Sequence, residues 1–298
     1  MTNKVSLFLD SGAYSAWSKN IEINLQEYIE FIKKHKKYID VYASLDVIGD
    51  PEKTYENHLE MERQGLKPLI CFHKNEDYKW LKLYLEKYEY LALGGIAGGD
   101  NYRIVQKHLD KCWDIICNTK DGIPKHKIHG FGLTSLKLLL RYPWYSVDST
   151  SWVMTSRFGS VYVPKIVKDG KCIYDKDNWK VCVSDRSPSI KEAGKHITSF
   201  SPPERKIIKQ YFKGKGYKLG KSRFFGRPKD YELQENEKFV SKADKNGIRE
   251  VEKIIEVGLC NDYKLRDEMN IIYFLDLEKS IPEWPWPYKK KSMKGFGM

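Results

Sequence analysis

Through residue 150 the chain alternates short apolar runs with longer stretches whose apolar positions recur every three or four residues. The runs Val5–Leu9, Val41–Leu45, Pro68–Phe72, Tyr90–Leu93, Ile128–Phe131 and Trp144–Val147 predict strands. The stretches Leu25–His35, Pro51–Gln64, Tyr78–Glu86, Tyr102–Asn118 and Ser135–Leu140 predict helices, and Asp50-Pro51 supplies a cap and a first-turn proline. Strands and helices alternating at this spacing predict βα units around a parallel sheet. Six such units, with no G-x-G-x-x-G turn after an early strand, favour a barrel over an open doubly wound sheet.

After Asp148 the rhythm changes. Val161–Ile166, Lys171–Tyr174 and Trp179–Val183 predict antiparallel strands, turning at Asp169-Gly170 and at Asp177-Asn178. Ile248–Val257 has helical spacing, while Asn270–Leu275 reads equally as a closing strand or a final helix. The tail Trp284-Pro285-Trp286-Pro287-Tyr288 and Lys289–Lys291 reads as irregular, suited to packing tryptophan on a barrel or to touching phosphate. The expected fold is therefore an α/β, TIM-type (β/α)8 barrel carrying an inserted or appended basic, partly antiparallel β segment. Residues 1–160 would hold the first six βα units and the site. Residues 161–245 would hold the hairpin and a basic, aromatic insertion, and 246–298 the closing barrel elements and the tail. No internal repeat is visible.

Composition narrows the class. A chain of 298 residues with 41% hydrophobic and 13% aromatic residues can build a real core. No run reaches the length of a membrane span, and the first residues lack the pattern of a signal peptide, so a soluble cytoplasmic protein without membrane partners is expected. The six cysteines form no CxxC or CxC pair; Cys71 and Cys117 read as reduced core residues. Cys172, Cys182 and His196 are weak candidates for a zinc site, which ordinarily takes four ligands with two closely spaced.

The net charge of +12 is concentrated. From Arg205 to Lys229 there are ten basic residues and no acidic one, interleaved with Tyr211, Phe212, Tyr217, Phe224 and Phe225. Clustered cations neutralise phosphates and aromatics stack on bases, so Lys213, Lys215, Lys218, Lys221, Arg223 and Arg227 are candidate nucleic-acid contacts. A solvated basic loop is the plainer alternative.

In a parallel α/β fold, the residues that follow each strand converge on one edge of the sheet. Here they are Asp10 with Ser11 and Tyr14, then Asp46, His73, Gly94-Gly95, Gly132 and Asp148. Three carboxylates and an imidazole beside a glycine wall can bind a metal, as in a Mg²⁺-dependent nuclease. They can equally run glycosidic chemistry, one carboxylate attacking the sugar and another moving protons. Taken singly, each aspartate can also be a turn or helix cap.

These residues resemble the tRNA-guanine transglycosylase superfamily, and within it the phage 7-deazaguanine DNA transglycosylases, over roughly Val5 to Gly159. The motifs are Asp10-Ser11-Gly12-Ala13-Tyr14, Ser44-Leu45-Asp46-Val47, Gly94-Gly95-Ile96-Ala97-Gly98-Gly99, His129-Gly130-Phe131-Gly132-Leu133-Thr134, Asp148, and Thr155-Ser156-Arg157. The resemblance implies a (β/α)8 barrel that exchanges guanine for a 7-deazaguanine such as preQ0 through a covalent enzyme–sugar intermediate. It implies Asp148 as nucleophile and Asp10 as general acid/base. It also implies base contacts from Ser11, Tyr14, Asp46, His73, Gly94 and Gly95, and a nucleic-acid contact from Arg157.

The sequence departs from the family's tRNA enzymes at several points. His73 stands where they carry glutamine, their CxCxxC zinc motif is absent, and the Arg205–Lys229 segment has no counterpart. DNA is thus expected as partner, with tRNA as the alternative, no cofactor required, and host cytoplasm as the location for a phage-encoded enzyme. A metal-dependent nuclease and a non-catalytic nucleic-acid-binding relative are the remaining alternatives.

Overall fold

Residues 6–96, 101–133, 135–186 and 194–289 are described by a computed structural model. Val5, Ala97, Gly98, Gly99, Thr134, Lys290 and Lys291, named above, lie outside the described residues. The chain divides into two units, 1–149 with 282–298, and 150–281.

The first unit is α/β. Its order is β1 (Phe8–Leu9), α1 (Ala13–Ser18), α2 (Leu25–His35), β2 (Val41–Tyr42), α3 (Pro51–Arg63), β3 (Cys71–His73), α4 (Tyr78–Lys87), β4 (Tyr90–Gly94), α5 (Tyr102–Ile116), β5 (Lys127–Gly130), α6 (Leu136–Leu139) and β6 (Ser146–Val147). β3-β4-β5-β6 form one parallel sheet. β1 and β2 form a parallel pair, joined towards β3 by the parallel bridge Ala43–Leu69. The strands thus lie side by side in chain order, as successive βα units require.

Capping residues open the helices where the sequence predicts. Asn24 accepts from the Glu27 N–H at 3.1 Å, Asp50 from Lys53 at 2.9 Å, and Asp77 from Lys79 at 2.8 Å. α2 buries Tyr28, Ile29 and Ile32, the i, i+1, i+4 face of an amphipathic helix, in a cluster with Tyr42, Leu45, Met61 and Leu66. Phe8 of β1 stacks on His129 of β5 with ring centroids 4.5 Å apart, so one face of the sheet curls inward. The tail belongs to this unit: Tyr288 donates its N–H to Gly122 O at 2.9 Å, and Trp284 lies edge-on to Tyr145. The expected tryptophan packing is therefore seen at Trp284.

The second unit runs α7 (Ser151–Arg157), β7 (Ser160–Lys168), β8 (Lys171–Cys182), α8 (Pro202–Gly214), β9 (Lys221–Pro228), β10 (Glu237–Phe239), β11 (Ile248–Glu256) and α9 (Tyr263–Glu278). β7 and β8 are an antiparallel hairpin, and the three-stranded antiparallel sheet has the order β10-β11-β9. Asp169 and Gly170, both at positive φ, make the predicted hairpin turn. The second predicted turn is absent. At Asp177-Asn178 the strand continues through a register shift opposite Pro164–Ile166, so one long strand replaces two short ones.

One further expectation changes. Ile248–Val257, predicted helical, is mostly β11, because Ile248, Val251, Ile254 and Ile255 are β-branched and the segment gains two strand neighbours. This strand joins an antiparallel sheet, and Asn270–Leu275 lies within α9. Of the two readings open for Asn270–Leu275, the final helix is the one found.

The candidate functional site

Each strand-end residue in the first unit is placed by local bonding that the sequence encodes. α3 grips the segment after β2 at three points. Thr54 Oγ1 accepts from the Val47 N–H at 2.8 Å, Asn57 donates to Leu45 O at 3.0 Å, and His58 Nδ1 meets Ser44 Oγ at 2.6 Å. Asp46 is bracketed between these anchors.

Its carboxylate faces His73 at the end of β3, with Oδ2 3.5 Å from Nε2. On the other side of the imidazole, Glu76 Oε1 lies 3.5 Å from Nδ1, while Oε2 accepts the His73 backbone N–H at 3.0 Å. The three form a carboxylate–imidazole–carboxylate row whose side chains are all nearly buried. Burial pushes the Asp46 carboxyl up to about 7, with His73 opposing and Asp10 and Glu76 adding. Burial works against charge on His73, but Cys71, Glu76 and Asp46 outweigh it, so the imidazole sits well above its ordinary value.

Gly94 leaves room for this row. A Cβ there would stand 2.7 Å from both Cys71 Sγ and His73 Cδ2. Gly94→Ala is therefore expected to push His73 out of line and to cost about 1–3 kcal/mol, as overpacking does. A lowered urea midpoint at an unchanged m-value is the readout, and a wild-type midpoint would show that the row can give way.

The other end of the edge is built around Asp148. Oδ1 accepts from the Gly132 N–H at 2.5 Å, and the side chain is 45% exposed. The second oxygen takes no hydrogen bond among the described residues. Burial pushes its carboxyl up, the Gly132 N–H opposes, and the charge of Asp10 adds. Asp10 thus acts electrostatically on both Asp46 and Asp148, as three carboxylates on one edge must.

Behind Asp148 lies His129, with Nε2 3.9 Å from Oδ1, beyond hydrogen-bond length. Its Nδ1 meets Ser146 Oγ at 2.8 Å, and Ser146 Oγ meets Tyr90 OH at 2.7 Å. Burial lowers the imidazole to about 4, so it is neutral at pH 7.

The structure gathers Asp10, Asp46, His73, Gly94 and Asp148 at the ends of adjacent parallel strands. Ser11 is buried, with its Oγ accepting from the Ala13 N–H, and Gly95 turns at positive φ beside Lys74. Tyr14, on α1, is 59% exposed and tilted against Trp17. Sequence reasoning missed Glu76, Cys71 and His129 as members of the site. The i, i+2 spacing of Cys71 and His73 on a strand places both on one face and was the available signal. For Glu76 no motif stood out, and His129 lay in a quoted motif, His129–Thr134, that gave it no role.

The weak zinc candidates separate. Cys172 and Cys182 lie at opposite ends of β8, ten residues apart, or roughly 30 Å along a strand. His196 bridges only towards Cys182, with Nδ1 on Thr198 Oγ1 at 2.7 Å. Among the described residues the donor group able to hold a metal is Asp46, Cys71 and His73, whose ligand atoms lie within 4.8 Å of one another. With a thiol among the donors, zinc suits it better than magnesium.

The basic segment is rearranged as well. Tyr211 and Phe212 are core residues of α8, and Tyr217 packs against the same cluster. Lys215 pairs with Asp276 at 2.5 Å and Lys218 with Glu256 at 2.9 Å. Lys213 stays on a basic face of α8 with Arg205, Lys206 and Lys209. Lys221, Arg223 and Arg227 project from β9, with Arg227 against the rings of Phe225 and Tyr231. Two of the five interleaved aromatics are thus the apolar stripe of an amphipathic helix, and a third packs against the same core.

These features define the first unit as an α/β protein with a carboxylate and imidazole site on the strand-end edge of its parallel strands. No family model, curated protein or solved structure matches the chain. Among the described residues no helix is long and apolar enough to cross a membrane.

Proposed function

We propose that the chain is a transglycosylase that replaces guanine in DNA with a 7-deazaguanine such as preQ0. The observation that carries this reading is Asp148: one oxygen is pinned by the Gly132 N–H, and the side chain is open to solvent. That is the disposition of an attacking carboxylate. Asp148 attacks C1′ of deoxyguanosine, the C1′–N9 bond breaks, and guanine leaves with the proton that Asp10 donates to it. The incoming base gives its N9 proton to Asp10 and displaces the carboxylate, so two inversions give net retention. Asp46, Ser11, His73 and the Gly94-Gly95 backbone recognise the base, and Tyr14 stacks on it. A base within a duplex is out of reach, so the target is flipped or single-stranded. No cofactor is required.

The six βα units in chain order, and the inward contact of Phe8 with His129, support reading the first unit as the greater part of a (β/α)8-type barrel. Action on tRNA keeps the chemistry and changes the polymer. A second reading, zinc-assisted hydrolysis at the same edge, is favoured by the Asp46–Cys71–His73 donor group.

The test is exchange of labelled guanine or preQ0 into duplex DNA, single-stranded DNA and tRNA, with and without a chelator. Chelator-insensitive incorporation into DNA is expected. Incorporation into tRNA alone overturns the substrate, and metal-dependent strand cleavage without exchange overturns the reaction.

A further inference from the structure

In the second unit four cations line one cavity of about 460 Å³: Arg157 from α7, Arg186 beyond β8, Lys238 from β10 and Arg266 from α9. Asn261 and Tyr263 complete its polar wall, and no carboxylate lines it. Of the four, the sequence singled out only Arg157.

Their support is built into the fold. Arg266 is 6% exposed and spends its guanidinium on two neutral acceptors, Ser156 O from Nε at 2.7 Å and Leu259 O from Nη1 at 2.5 Å. Among the described residues it has no carboxylate partner. Asp262 and Asp267 act on it through their fields, but their carboxylates are engaged by the Lys264 N–H and the Ser156 hydroxyl. Beneath Arg186 and Lys238 lies Glu252, whose side chain is 1% exposed; it binds Arg186 at 2.7 Å and Lys238 at 3.2 Å. One buried carboxylate thus fixes two cations without neutralising both. Arg157 takes no carboxylate among the described residues. A buried, uncompensated guanidinium costs stability unless an anion completes it.

We propose that this cavity binds a phosphate group of a nucleic-acid backbone. Arginine suits phosphate because its planar fork donates two parallel hydrogen bonds, and the volume accommodates a nucleotide-sized group. A polymer is favoured over a free anion because the same unit carries further exposed cations, on α8 and on β9. The inference deepens the proposed function by locating a backbone contact, and it rests on that reading only for the choice of polymer.

The test is binding of a fluorescent single-stranded oligonucleotide by anisotropy across a salt series, with inorganic phosphate as competitor. Arg157→Gln removes a cation outside the buried scaffold, Lys238→Gln removes the more distant of the two cations on Glu252 and leaves Arg186 paired with it, and Lys245→Gln is the control. For a single strand, each phosphate left without its cation lowers the slope of log K against log salt by about 0.7. The double variant is expected to bind roughly tenfold or more weakly at 0.1 M salt, with the slope reduced by about 1.4, the control matching wild type. Wild-type affinity and slope in the double variant overturn the proposal. So does inorganic phosphate binding at the cavity without displacing the oligonucleotide, which assigns the site to a free anion. Loss of binding in a protein that performs no base exchange on any polymer upholds the cavity and removes the transglycosylase reading, so the two fail separately.

Discussion

Asp148→Asn is expected to lower base exchange by about a thousandfold or more while leaving the fold intact. The amide keeps an oxygen that can accept from the Gly132 N–H, and the side chain is half open to solvent, so little stability is at stake. What disappears is the anion that attacks C1′. A quenched wild-type reaction should yield a covalent enzyme–DNA species by mass spectrometry, and the variant none. Asp10→Asn should slow both the formation and the resolution of that species, since proton transfer serves both steps, while leaving the nucleophile in place. Because burial and Asp10 hold the Asp148 carboxyl above its ordinary value, kcat/KM should fall on the acid side earlier than a free carboxylate would allow. The nucleophile works ionised, so the rate rises with pH through that value. An Asp148→Asn enzyme with wild-type turnover would sink the covalent route.

The Gly132 N–H explains why Asp148 can be exposed yet fixed in direction. The chain Tyr90–Ser146–His129 ends with Nε2 3.9 Å from the carboxylate on its buried side, and the low value of the imidazole keeps it neutral there. A charged imidazole would pair with the nucleophile and weaken it. A neutral one leaves the nucleophile its charge.

The first unit was readable because its helices carry their own punctuation. Asn24, Asp50 and Asp77 cap helices that open at the predicted Leu25, Pro51 and Tyr78, and five of the six strand runs are followed by an aspartate or a glycine. The site was half readable for the same reason, since parallel strands bring their ends together whatever the side chains are. Glu76 escaped because its role depends on its distance to His73 across the row, which no spacing rule encodes, whereas Cys71 was signalled by its i, i+2 spacing to His73. In the second unit the pattern misled. Ile248, Val251, Ile254 and Ile255 recur at helical spacing, yet pairing with β9 and β10 decides the segment as strand. Tyr211 and Phe212 looked like stacking residues among lysines, and the helix turns them inward. Arg186, Lys238 and Arg266 lie 52 and 28 residues apart in sequence, so only the folded chain reveals them as one wall.

The same tension between site and scaffold predicts a stabilising substitution. Asp46→Asn is expected to raise stability at pH 8 by up to about 4 kcal/mol, with the gain vanishing near pH 4. The Asp46 carboxyl titrates at about 7 in the folded protein, against an ordinary 3.8. Below pH 4 both folded and unfolded chains hold the proton, and its contribution is fully present. As pH rises from 4 to 7 the unfolded chain releases the proton while the folded one keeps it, so stability is lost. Above 7 the loss is constant. Asparagine mimics the protonated acid and escapes that loss. His73 acts with the same sign, its raised value adding stability that declines as pH rises through it, and removing Asp46 takes away one of the partners that raise it. The measured gain is the net of the two, read from urea midpoints at pH 4, 6 and 8. A gain in stability coupled to loss of base exchange would identify Asp46 as a buried charge kept for binding. A variant less stable than wild type at pH 8 would instead make the Asp46–His73 pair a structural element, and base recognition would have to rest elsewhere on the edge.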